Sequence, residues 1–189
     1  MKPTKNLKTL LIVLVIGCSS DTTDPIPVDV EAFSGELFFS EYIEGSSFNK
    51  ALEIVNLTGA SINLETEGYS IKKQTNGGGN WISDLPLSGS ISHNEVYVIA
   101  NESSNISQII QQSDLLKTGA PLDFNGNDPI GLFKNEILID IMGTINHSED
   151  FAKDKTLLRK KSIQEPSIIF NINNWDVLEM DHTEDLGKY

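Results

Sequence analysis

The chain is short of three things: cysteine, cations and long apolar runs. It has one cysteine in 189 residues. A lone thiol excludes an internal disulfide framework. It also excludes finger-type zinc sites, which need two or more thiolates. Lys and Arg number 14 against 27 Asp and Glu, a net charge of −13. So acidic a surface repels phosphate backbones at long range, and sequence-independent nucleic-acid binding depends on phosphate neutralisation. Nucleic acid is therefore a disfavoured partner. The one basic strip, "LLRKKS" (157–162), reads as a solvated strand face, with a polyanion contact as the alternative. Catalytic signatures are missing as well: there is no GxSxG elbow, no His-x-x-x-His pair and no phosphate loop after "TNGGGN" (75–80). The three histidines, His93, His147 and His182, lie in polar, turn-like stretches. No enzyme is expected from this pattern.

The placement of the single cysteine is informative. Residues 1–9 are basic and polar, residues 10–16 ("LLIVLVI") are wholly apolar, and Gly17 and Cys18 follow. This is the order of a secretory signal, and the run is far short of the roughly 20 residues a spanning helix needs. "VIGC" resembles the bacterial lipobox. The resemblance implies cleavage between Gly17 and Cys18 and acylation of the Cys18 thiol, with several acyl chains giving a durable anchor. Removing residues 1–17 takes away three lysines and no acid, so the mature chain is more acidic still. Residues 18–34 read as an acidic, proline-bearing tether. Ser19 after the cysteine favours the outer membrane, and Asp21 and Asp24 look like the surface-export signals of Bacteroidetes lipoproteins. "DTT" (21–23) resembles an O-glycosylation motif of that phylum.

From residue 35 onward the apolar runs are short and turn residues dense. Strands are expected at 36–44, 50–57, 69–73, 95–100, 130–134, 137–143, 155–163 and 173–177, each rich in branched and aromatic residues. In "ALEIVN", Leu52 and Ile54 share one face and Glu53 takes the other, the period of 2 that a strand requires. "KNEI" (134–137) reads as a two-residue hairpin, and "TNGGGN" as a flexible connection. One helix is expected over 105–116, with Ile106, Ile109 and Ile110 on one face. Many short antiparallel strands imply a β-sandwich.

The blocks "SEYIEGSSFNKALEIVNLTG", "GYSIKKQ", "VYVIANES", "FNGNDPIGLFKNEILIDIMG", "TLLRKKS" and "WDVLEMDHTEDLG" follow one another in the order seen in lamin tail domains. Across 35–189 the chain resembles the bacterial secreted branch of that family. The resemblance implies an immunoglobulin-like, all-β sandwich with one short helix, preceded here by a lipoprotein signal peptide. It also implies a binding or attachment module at the cell surface, contacting protein or glycan partners. The alternative is an accessory subunit that captures substrate for a separately encoded secreted hydrolase or nuclease, with a divalent cation such as Ca2+ as an optional ligand.

Candidate site residues follow from the carboxylates. "DFNGND" starts like a calcium loop, with Asp123, Asn125 and Asn127 alternating correctly. Asp128 then stands where glycine is needed and Lys134 where a bidentate glutamate is needed. A turn capped by Asn127 and Asp128 is the plainer expectation. Glu41, Glu44 and Glu53 cluster in "EYIEGSSFNKALE". Glu41 is expected on the face of Leu37, Phe39 and Ile43, partly buried and paired with Lys50, a cation or ligand site being the alternative. "EMDHTEDLG" (179–187) is expected as a solvated terminal loop, or failing that as a divalent site. Trp175 is expected in the core and Trp81 at an edge, where it could stack on a ligand.

Overall fold

The computed structural model describes residues 33–189. The signal segment, the cleavage site at Gly17 and Cys18, and nearly all of the tether lie outside the described residues.

Among the described residues, twelve strands, one short helix and one 3-10 turn form an all-β sandwich. The strands are β1 (Phe38–Glu44), β2 (Lys50–Val55), β3 (Ile62–Asn63), β4 (Tyr69–Thr75), β5 (Gly78–Pro86), β6 (Ser90–Ile91) and β7 (Val96–Asn101). After the helix α1 (Ser107–Gln112) come β8 (Leu115–Lys117), β9 (Ile130–Lys134), β10 (Ile137–Met142), β11 (Lys155–Arg159) and β12 (Trp175–Glu179). One sheet runs β12-β11-β1-β2-β7-β8, the other β10-β9-β4-β5, and β3 and β6 form a small ribbon. The sheets meet across one core. Phe39 and Tyr42 of β1, Leu52 and Ile54 of β2, Ile71 of β4, Ile130 and Leu132 of β9 and Leu157 of β11 all belong to it.

Two hairpins hold the four-stranded sheet. Asn135 and Glu136, at φ of 49° and 67°, turn β9 into β10. Asn76 and Gly77, at φ of 48° and 63°, turn β4 into β5. Two consecutive left-handed residues match the twist of the flanking strands, which is why Asn-Gly suits this place. "TNGGGN" is therefore not a flexible connection but a tight turn opening onto a nine-residue strand.

The helix is half its expected length. Asp114 ends it: its N–H donates to the Val98 carbonyl and its Oδ2 accepts from the Val98 N–H, both at 2.9 Å. These bonds draw residues 115–117 onto the edge of β7 as a parallel strand.

The face of β1 also differs from expectation. Phe39 pairs with Ile54 and Glu41 with Glu53, so Ser40 is an extra residue in the ladder. This bulge shifts the phase of the strand. Leu37, Phe39 and Tyr42 enter the main core, while Ile43 joins Ala51, Val98, Ala100, Ile109 and Leu186 in a second cluster. Glu41 is thereby separated from Leu37 and Phe39 and set beside Glu53. The second cluster is covered by Ile109 of α1 and by Leu186, so "EMDHTEDLG" is solvated only in part: Thr183 and Leu186 are buried, while Glu179, Met180 and Glu184 are exposed. Asp181 accepts from the N–H and hydroxyl of Ser46 at 2.8 and 2.7 Å, Gln108 bonds Thr183, and Gly187 donates to Glu53 at 2.7 Å.

Candidate functional site

Glu41 and Glu53 are both fully buried. Glu53 accepts from Ser40 Oγ at 2.7 Å and from Gly187 N–H. Both oxygens of Glu41 lack a hydrogen-bond partner. Burial, then the neighbouring Glu53, pushes the Glu41 carboxyl up to about 8, and burial pushes Glu53 up to about 7. An uncompensated buried carboxylate is costly, so the neutral acid is the favoured form. Lys50 is not the partner of Glu41. It lies 2.6 Å from Glu44, the two side chains are buried together, and Glu44 also accepts from the Asp154 N–H.

The calcium-like loop is closed by a lysine. Lys73 Nζ lies 2.5 Å from Asp123 and 3.3 Å from Asp128. Asp128 also accepts from the Asn76 N–H at 2.5 Å, so it pins the β4–β5 turn. Asn125 is exposed, and Asn127 donates to the Ser148 carbonyl at 3.3 Å with its own oxygen buried and unpartnered. Among the described residues no group of three or more His, Cys, Asp or Glu is placed to hold a metal ion.

The basic strip is divided among structural roles. Arg159 is buried, bonds Asp140 at 2.6 Å and stacks on Trp175 and Phe38 at 4.7 and 4.9 Å. Lys160 donates to the Asn173 carbonyl, and Lys161 sits over the Tyr189 ring. Trp175 is in the core. Trp81 is half-buried and meets Phe133 edge-on at 5.2 Å.

The residues that do form an open site lie elsewhere. The connection from β10 to β11 (143–154) and the one from β11 to β12 (160–174) run side by side. Between them lies a cleft of about 430 Å³ lined by Thr144, His147, Glu149, Asp150, Phe151, Phe170, Asn171 and Ile172. A smaller one of about 190 Å³ adjoins it, lined by Gly143, Ile145, Ile168 and Ile169 and sharing Thr144 and Phe170. Ile145, Ile168, Ile169 and Ile172 are all exposed, Ile169 to 75%. Each of the four lines one of the two adjoining clefts.

Both walls are tied to the sandwich. Gln74, buried in β4, accepts from the Asn146 N–H at 2.9 Å and donates to its side chain at 3.2 Å. Gly77 lies so close to the His147 carbonyl that a methyl there would collide with it. On the other wall, Asp140 accepts from the Ser167 N–H at 2.8 Å, and Arg159 donates to the Glu165 carbonyl at 3.0 Å. An aromatic chain runs from the core to the floor: Phe124 stacks on Tyr42 at 4.8 Å, Tyr42 meets Phe151 at 5.7 Å, and Phe151 meets Phe170 at 5.2 Å.

None of the residues lining this groove follows from a motif. The available signal is "SIIFNI" (167–172), an apolar run in a turn-rich stretch that lacks strand alternation.

Fold and site together define a two-sheet β domain with a surface groove between the β10–β11 connection, which crosses from one sheet to the other, and the β11–β12 connection, which stays within the six-stranded sheet. Comparison with protein-family models and with curated proteins returns no match.

Proposed function

We propose that the chain is a non-catalytic binding module, held on the outer membrane by lipid at Cys18 and presenting the groove of residues 143–172 to a protein or glycan partner. The observation that carries this reading is the set of four exposed isoleucines around a cleft whose walls are fixed to the sandwich. The cleft falls within the 300–1,000 Å³ range of ligand sites. The resemblance to secreted lamin tail domains points the same way. The acids with displaced protonation, Glu41 and Glu53, have no solvent exposure and so meet no substrate.

Capture from outer-membrane extract tests the reading. Wild-type chain is compared with Ile168→Ser/Ile169→Ser, whose positions are exposed and whose fold is checked by melting. The expected result is a partner retained by wild type and lost by the variant. Equal retention by both removes the groove from the function.

A further inference from the structure

We infer that the groove takes a peptide carrying a basic side chain close to an apolar one. This rests on the binding-module reading and names the class of its partner. The two adjoining clefts differ in chemistry. The larger is lined by Glu149, Asp150 and His147 together with Phe151, Phe170 and Ile172. The smaller is lined by isoleucines, Gly143, Thr144 and Phe170, with no ionisable group. Because they share Thr144 and Phe170, one ligand can occupy both.

No lysine or arginine lines either cleft. Among the described residues Glu149 enters no ion pair, and Asp150 has only Lys153 at 3.9 Å, with both side chains half-exposed. A pair that exposed neutralises little. The larger cleft therefore presents uncompensated negative charge on a molecule of net charge −13. Such a field selects against uronic, sulfated or phosphorylated ligands and draws in cations. Phe151 and Phe170 suit the same occupant, since arginine and lysine lay an apolar stem on aromatic surface and their charge is attracted to the ring face. A neutral saccharide could satisfy the carboxylates but brings nothing to cover the isoleucines of the second cleft. A peptide with a basic and an apolar residue a position or two apart satisfies both.

The test is selection of a random octapeptide display library on the full chain, followed by titration of the enriched peptide and of a neutral oligosaccharide. The expected consensus pairs Arg or Lys with Ile, Leu, Val or Phe. Glu149→Gln/Asp150→Asn should weaken the selected peptide about tenfold and flatten its salt dependence. Ile168→Ser/Ile169→Ser should weaken it comparably and leave the salt slope unchanged. All four positions are exposed, so melting temperatures should hold. An acidic or uncharged consensus, tighter binding of the oligosaccharide, or no enrichment overturns the basic-peptide class. The binding-module reading survives those outcomes if membrane capture still depends on Ile168 and Ile169, and falls only if that dependence is absent too.

Discussion

Glu41 and Glu53 face each other across β1 and β2 because one extra residue, Ser40, turns Glu41 off the main core. Their carboxyls, raised to about 8 and about 7, are bound to protons more tightly in the folded chain than in the unfolded one. Linkage then gives the sign: the contribution is fully present below the unfolded carboxyl value near 4.5 and is lost as pH rises through 7 and 8. Stability should fall from pH 5 to pH 9, each carboxyl contributing at most about 1.4 kcal/mol for every pH unit between its unfolded and folded values. Asp185, Lys161 and Lys188 also act on Glu41, so the slope is a property of the cluster. Glu41→Gln should flatten the pH dependence of urea unfolding and make the protein more stable than wild type at pH 9. An unchanged slope would contradict the neutral pair. At the calcium-like loop, Lys73 already supplies the cation between Asp123 and Asp128. Calcium or chelator should therefore leave the melting temperature within about a degree, because a ligand specific to the native state would raise it.

Among the elements, alternation and turn chemistry make most strands legible. The β9–β10 hairpin is visible in "KNEI" and β2 in "ALEIVN", because alternation of residue type and left-handed turn residues are local properties, although β2 is buried on both faces rather than on one. The β4–β5 hairpin escapes detection because three glycines in a row look like slack, although only Asn76 and Gly77 form the turn. Residues 115–117 escape because Asp114 stops the helix through a bond to Val98, 16 positions away in sequence. Gly77 couples the hairpin to the groove, since its positive φ and the His147 carbonyl both forbid a side chain. Gly77→Ala should cost roughly 2–3 kcal/mol in urea unfolding. It should also weaken the selected peptide more than Gly79→Ala, a position with open space around it. Equal effects on the peptide would detach the turn from the groove wall.

For the whole molecule, the Cys18 anchor is a prediction of sequence order alone. Cys18→Ser should move the protein from the membrane to the soluble fraction, and intact mass of the wild type should show residues 1–17 gone and acyl mass added at Cys18. A retained leader or a bare thiol contradicts it. By itself the sequence determined the acidic surface, the strand spacing and hence the all-β class, because charge and alternation are sums over neighbours along the chain. Tertiary structure alone decided that Glu41 meets Glu53 while Glu44 takes Lys50, that Ile109 and Leu186 cover the second cluster, and that residues 143–151 and 167–172 wall one groove. Those outcomes depend on a bulge, a helix stop and long connections. Each brings together residues distant in sequence, and no local pattern encodes which of them will touch.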